Sequence, residues 1–548
     1  MPQAWDVEAD VVVIGFGAAG AAAALEAAAC GADVLVIDRF GGGGATALSG
    51  GVVYAGGGTI QQITAGVADS PEAMYRYLAA EAGDAVSEAT LRKFCDGSAA
   101  MLAWLVDHGV PFEGSLCPDK TSYPTNKYYL YYSGSELSFA DVAAPAPRGH
   151  RAVGPGTSGR VLYDRLAAAV RAQGARVLPQ TRAVGLICDE DGQVTGVECL
   201  SLMSLPGLRG APSWARIGHR VLHRLGKKPF LYAGRLGRRL HQPVAWIEAT
   251  RARPLRVGAR HGVVIAAGGF VANRAMMREH APAYRGGLAL GTVADDGSGI
   301  ELGIGAGGAT KFLDRISCWR FITPPTAFLQ GLIVNSAGRR ICDESRYGAA
   351  IGEAIVTLGD RRGWLFLDQK AVAQARHWRT LRGSTLWFQL LQALYLLTRA
   401  RVSAPSVGEV AAKAGVDPDG LLATVTAYNA AAAVGAPDPL GKPAPLVSRL
   451  TVAPYSLIDL SIRPRIAYPA PMLTLGGLVV AEETGQVRRP DGSVIEGLYA
   501  AGRSAVGVSS RSYVSGLSLA DCVFSGRRAG RHAAGQASAA TAGVERED

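Results

Sequence analysis

The sequence predicts an α/β fold in which a Rossmann-type domain carries an inserted α+β capping domain, and three observations predict it. A β-branched run, Val11 to Ile14, turns through Gly15-Phe-Gly17-Ala-Ala-Gly20 into an alanine-rich helix spanning Ala18 to Ala29. That is the strand, tight turn and helix context a dinucleotide fingerprint requires. A second strand, Asp33 to Asp38, ends in a carboxylate 23 residues after Gly15. Two later segments, Gly262 to Phe270 and Gly497 to Arg503, read as short buried strands ending in glycine turns, so the chain returns to the same sheet near its end.

Each element has a chemical reason. Glycine lets the backbone approach a pyrophosphate, whose charge the helix N-terminus meets. Asp38 suits ribose hydroxyls and argues against a 2′-phosphate. After Asp38 the stretch Gly41 to Gly51 continues without a helix, giving a path long enough to run beside a ribityl chain and isoalloxazine, which favours FAD over NAD. Residues expected to hold the cofactor are Gly15, Gly17, Ala18, Ala19 and Gly20 in the first turn, with Asp38 and Arg39 after the second strand. Ala45, Thr46, Ser49, Gly50 and Gly51 follow on the extended stretch, then Val184, Ala267 and Gly502, and finally Leu517, Ser518 and Leu519 where the last helix begins. That helix N-terminus would face the flavin N1/C2=O edge and favour the anionic reduced form.

Composition bounds the function. At 548 residues and 48% hydrophobic, the chain can bury two large cores. Its eight cysteines form no CxxC or CxxCH, so no iron–sulfur, zinc or c-type haem ligand set is expected and no metal is assigned. Met1 to Asp10 lacks the basic and apolar regions of a secretory signal, and no apolar run approaches the roughly 18 residues of a membrane span. A cytoplasmic location is expected. Residues 1–274 and 453–548 are assigned to the cofactor domain and 275–452 to the substrate-capping domain. A helix over Ser158 to Gln173 and a hairpin over Ala175 to Cys199, turning at Asp189 to Gly192, lie in the former.

The net charge of +10 is unevenly spread: between Leu200 and Ile247 lie nine Lys/Arg, three His and no acid. Trp214, Ile217, Val221, Leu222 and Leu225 recur at helical spacing while Arg216, Arg220, His223 and Arg224 fall elsewhere on the wheel, the pattern of an interfacial helix. Residues 201–245 therefore read as an insertion that docks on anionic membrane, on the cytoplasmic face. A solvated basic face or a subunit contact is the alternative, and without a stacking ladder or reader motif nucleic acid is not expected as a partner.

The chain resembles the fumarate reductase and succinate dehydrogenase flavoprotein superfamily over nearly its whole length. Members carry either a covalent flavin histidine in the early glycine-rich segment or noncovalent FAD; residues 40–60 contain no His, so noncovalent FAD is expected. In the dicarboxylate-reducing members a stretch Asn-Arg-x-Gly-Gly-Asn-Ser-Leu-x-Asp grips a substrate carboxylate with its arginine. Here, counting back from Ser518-Leu519, that arginine is replaced by Tyr513 and the second residue after it by Ser515. An arginine clamp suits an anion, whereas a phenol and a hydroxyl suit a neutral ketone. Tyr128-Tyr-Leu-Tyr-Tyr-Ser-Gly, Trp319 to Pro325, Arg340 to Gly348, Thr474 to Gly477 and Tyr513-Val-Ser515-Gly further resemble the 3-ketosteroid Δ4-(5α)-dehydrogenases. The resemblance implies an active site of Tyr513, Ser515 and Tyr347. It implies loss of the C4 proton to a tyrosine, aided by the other two, and transfer of hydride from C5 to flavin N5, with an unidentified electron acceptor closing the cycle. Two alternatives stay open: a Δ1-dehydrogenase, whose proline- and glycine-rich ending is not found at 510–520, and an enone reductase of the fumarate reductase kind.

Overall fold

The computed structural model describes residues 4–232, 234–378, 386–465 and 467–544. Strand β1 (Val7–Ile14) leads through the glycine turn into α1 (Ala18–Ala29) and back to β2 (Val34–Ile37), parallel to β1. A three-stranded antiparallel sheet follows, with β5 (Gly149–Arg151) between β3 (Val52–Tyr54) and β4 (Leu130–Tyr131). The chain then re-enters the first sheet through β6 (Arg176–Leu178), β7 (Thr181–Cys188), β8 (Val194–Ser201) and β9 (Arg253–Ile265). The parallel core runs from strand Val494–Ala500 through β9, β1 and β2 to β6. Val11 and Val13 face the core that contains α1, and Val12 and Ile14 face the opposite one, which is why this run is apolar throughout and not alternating.

Small residues bring α1 and the last helix, Leu517–Val544, into close contact: a Cβ at Gly526 would lie 2.4 Å from the Ala19 carbonyl oxygen, and one at Gly530 2.1 Å from that of Ala23. The two ends of the chain thereby meet at the first glycine turn.

The capping region holds its own four-stranded antiparallel sheet, Leu332–Val334, Trp364–Leu367, Tyr455–Asp459 and Arg401–Ala404 in that order. Its third strand, Tyr455–Asp459, lies past the expected boundary at residue 452. The three central residues of this strand, Ser456 to Ile458, are all buried, a pattern that fits either sheet, and only the pairing decides.

The expected insertion is real as an element. β8 and β9 pair antiparallel, with Ser201 opposite Arg253, and between them a hairpin of helices, Ser213–Tyr232 and Gly234–Arg251, projects from the sheet. The apolar row faces outward, and His223, read with the basic face, turns inward. The inward face carries Ala215, His219 and His223, while Trp214, Ile217, Val221 and Leu225 point outward, from 48% to 64% exposed; Leu222 is partly buried. Histidine at an inward position is stable here because each ring has partners. His219 Nε2 meets Glu248 Oε1 at 3.0 Å, and its Nδ1 meets Gln180 Nε2 at 3.0 Å. His223 stacks on Phe40 at 3.6 Å, and burial pushes its pKa down to about 2, so it is neutral.

Candidate active site

A cleft formed by the first glycine turn and the ends of the parallel strands is lined by Gly15, Asp38, Arg39, Thr181, Arg182, Ala183, Ala267 and Ser298 among others. Gly15 has φ +100° and a Cβ there would lie 2.5 Å from the Ala266 carbonyl oxygen, so only glycine closes the turn. Gly17 is the residue before α1, the Ala18 amide donates to Thr46 Oγ1 at 3.0 Å, and a Cβ at Gly20 would lie 1.9 Å from the Gly15 carbonyl oxygen. Ala19 packs under Gly502, whose amide donates to Ser525 Oγ at 2.9 Å.

Asp38 Oδ2 accepts from the Phe16 amide at 3.0 Å, and Oδ1 accepts from the Phe40 and Gly42 amides, each at 2.8 Å. A carboxylate has about four lone-pair sites; three order the two turns, leaving one for a ribose hydroxyl. Arg39 lines the same cleft, yet its guanidinium is bound to Glu248 at 2.8 Å and Asp296 at 2.9 Å, so it clamps the helical hairpin to the cleft edge. Val184 is 44% exposed and is absent from the cleft wall, which its neighbours Thr181 to Ala183 form. Along the extended stretch, Ser49 Oγ donates to the Thr46 carbonyl and accepts from the Gly51 amide, while the Gly50 carbonyl accepts from Tyr123 Oη at 2.6 Å. Ala45 immediately precedes the short helix that begins at Thr46.

These residues fit FAD on an observation apart from the motif. Arg503 is paired with Asp295, and its Nη1 is buried without a partner, 3.2 Å from where a Cβ of Gly269 would stand. An unpaired cationic donor beside Ala267 and the glycine turn awaits an anionic or carbonyl oxygen. Arg503 was part of a quoted motif but was not singled out; its signal was a cation in an otherwise apolar glycine turn. Absence of an early histidine leads to an expected result: acid precipitation releases the flavin into the supernatant, and colour retained on the pellet would contradict noncovalent binding.

Past the cleft, the three residues expected at the reaction centre meet. Tyr513 and Tyr347 are buried with ring centroids 6.3 Å apart. They share an apolar cluster with Leu473, Leu475, Leu290, Trp319 and Phe321; Trp319 stacks on Tyr513 at 5.6 Å and Phe321 meets Tyr347 edge-on at 5.5 Å. Ser510 Oγ donates to the Leu475 carbonyl, and Gly516 (φ +93°) accepts from the Tyr54 amide of β3. Anchored at both ends, the segment holds Ser515 against β4: its hydroxyl lies 3.3 Å from Tyr131 Oη, and its carbonyl accepts from Ser133 Oγ at 3.0 Å. Burial raises the Tyr347 phenol well above its ordinary value, and the nearby Ser515 hydroxyl acts against that rise. Burial likewise pushes Tyr513 up to about 12. Tyr131 is a residue that the sequence reading quoted in a motif without giving it a role. Arg511, two residues out of register with the family's arginine, turns away to Asp84.

The fold and the cleft define a flavoprotein of the FAD-binding class, and a family model described as FAD binding domain matches residues 10–519. The chain is 38% identical to a 3-oxo-5-alpha-steroid 4-dehydrogenase of Comamonas testosteroni, covering 91% of this chain and 93% of that protein. It superposes with TM-score 0.79 and 32% identity, over 97% of this chain and 98% of the other, on a 3-ketosteroid-delta4-(5alpha)-dehydrogenase of Rhodococcus jostii RHA1 solved with 4-androstene-3,17-dione. It is also 28% identical to a 3-oxosteroid 1-dehydrogenase of Mycobacterium tuberculosis, over 97% of this chain and 99% of that protein. The chain belongs to this FAD-binding family and, within it, to the 3-oxo-5-alpha-steroid 4-dehydrogenases.

Proposed function

We propose that the chain uses FAD to introduce a C4–C5 double bond into 5α-3-ketosteroids. The observation that carries the reading is the cluster at the reaction centre: the side chains packed with Tyr513 and Tyr347 are aromatic or aliphatic, and the Ser515 and Tyr131 hydroxyls adjoin them, which suits a flat neutral ketone. Tyr513, held near 12, stays protonated and can donate to the 3-keto oxygen, stabilising the enolate as the C4 proton leaves. Ser515, whose hydroxyl lies 3.3 Å from Tyr131 Oη, is placed to accept that proton and pass it on through the phenol, since a serine hydroxyl alone is too weak a base. Bound FAD supplies the two-electron oxidant for the hydrogen that leaves C5 as hydride. The products are the 4-ene-3-ketone, reduced cofactor and one proton. Anaerobic addition of 5α-androstane-3,17-dione should bleach the yellow protein; retention of full colour with saturating steroid would refute the proposal.

The same proposal places the protein at the cytoplasmic face of an anionic membrane, through the helical hairpin. Trp214 and Trp246 both border the Arg251 guanidinium, at 5.4 Å and 6.0 Å from their ring centroids, so the outward apolar rows of the two helices adjoin. Leu236, 53% exposed, and Leu240, 38% exposed, extend the second row, and Arg220, Arg224 and Arg239 are exposed beside them. Each basic residue near an anionic surface contributes about 1 kcal/mol. Among the described residues no helix is long and apolar enough to cross a membrane. Excising the hairpin would disturb the cofactor cleft, because Glu248 and His223 hold Arg39 and Phe40. Point changes are cleaner. Trp214→Glu with Ile217→Glu is expected to weaken sedimentation with phosphatidylglycerol-containing vesicles at least about tenfold, given roughly 1.5–3 kcal/mol per buried large apolar side chain, with flavin content retained. Unchanged sedimentation would remove the membrane reading.

A further inference from the structure

A second segment of the chain repeats the chemistry of the hairpin. Between Asp368 and Glu409 there is no acid, and six basic residues stand there: Lys370, Arg376, Arg379, Arg382, Arg399 and Arg401. With the nine of residues 201–245, these two segments carry fifteen positive charges, so the rest of the chain, at a total of +10, is net negative. Both basic segments are also where large apolar side chains face outward. On the helix Trp387–Thr398, Trp387 is 71% exposed, Leu391 53%, Leu394 39% and Phe388 38%.

The inner face of this helix is fixed to the walls of the reaction centre. Gln389 Nε2 donates to the Ser122 hydroxyl and the Tyr123 carbonyl, each at 3.0 Å, and Gln392 Nε2 donates to the Phe321 carbonyl at 2.8 Å. Phe321 is the ring that meets Tyr347. Leu386, just before the helix, packs in the small cluster that contains Tyr131. One side of the helix therefore backs onto the residues around Ser515 and Tyr347, and the other is an exposed apolar strip. The first hairpin helix, Ser213–Tyr232, approaches the same region from elsewhere in the chain, lying against β10 (Leu288–Ala289), which leads directly to Leu290 in the Tyr513 cluster.

We infer that the outward face of helix Trp387–Thr398 is a second contact with an anionic lipid bilayer, set beside the reaction centre so that a sterol-like ketone passes from the lipid into the site without crossing water. The occupant is lipid because the strip lies in a segment whose charged residues are all basic, matching anionic headgroups around an apolar interior. Substrate passage rests on the steroid reading above; lipid contact does not.

The test uses the full-length holoprotein and two variants of exposed residues, Leu391→Glu and Trp387→Ala. Vesicles of phosphatidylcholine and phosphatidylglycerol are pelleted with each protein, and steroid turnover is measured twice, with 5α-androstane-3,17-dione preloaded in the vesicles and with the same steroid carried by cyclodextrin. The expected result for Leu391→Glu is vesicle binding weakened at least about fivefold and vesicle-delivered turnover reduced by a similar factor, with cyclodextrin-delivered turnover within about twofold of the parent; Trp387→Ala should follow in the same direction. Unchanged vesicle binding overturns the lipid contact, and so does a parent dimer that Leu391→Glu converts to a monomer, since the strip is then a contact between copies. Weakened binding with unchanged vesicle delivery, or an equal fall in both turnover measurements, overturns the entry role. A parent protein that turns over no steroid by either route refutes the function proposed above and the entry role with it, and the binding arm still decides the lipid contact.

Discussion

Tyr513→Phe is expected to lower steroid turnover at least about a hundredfold, the low end of what a positioned donor or proton-handling group contributes to a transition state, while flavin content stays at the parent level. The phenyl ring keeps the stack on Trp319 and the contact with Tyr347, so the apolar cluster survives. Only the hydroxyl is lost, and with it the donor to the 3-keto oxygen. Ser515→Ala should fall in the same range, because the Ser515 hydroxyl meets the Tyr131 phenol and is read here as the group that takes the C4 proton. A Tyr513→Phe protein with near-parent kcat would remove the phenol from the chemistry.

Gly15→Ala should abolish stable flavin binding, leaving purified protein with less than about a tenth of the parent's flavin absorbance per chain. Two independent costs coincide at this residue. A left-handed φ of +100° is strained for any side chain, and the new methyl would stand 2.5 Å from the Ala266 carbonyl oxygen, a backbone atom held in the parallel sheet. Relief requires β1 and the segment after β9 to separate at the point where the pyrophosphate would approach. Flavin content near one per chain in the variant would show that the turn does not hold the cofactor.

How far such a site can be read without coordinates depends on whether the signal is local. The turn after β1, Asp38 and the helix after Gly516 are legible because each is a backbone requirement written in consecutive residues. Tyr513, Ser515 and Tyr347 were legible through resemblance, and the structure brings them together although Tyr347 comes from the cap. Tyr131 was not assigned a role, since its partner lies 384 positions away and nothing in a tyrosine-rich run says which ring faces Ser515. The hairpin was legible in part. Helical periodicity separates Trp214, Ile217, Val221 and Leu225 from Arg220 and Arg224, yet His223, read with the basic face, turns inward where Phe40 stacks on it, and Leu222, read with the apolar row, is partly buried.

Regiochemistry is the sharpest expression of the account, because C4–C5 and C1–C2 desaturation share the cofactor, the fold and the ketone, and differ only in which hydrogen the Ser515 hydroxyl meets. One anaerobic turnover of excess holoprotein with 5α-androstane-3,17-dione, quenched and analysed by chromatography against authentic standards, measures it directly. 4-Androstene-3,17-dione is expected in an amount equal to the flavin reduced. A 1-ene-3-ketone, or bleached flavin with the steroid recovered unchanged, would contradict it.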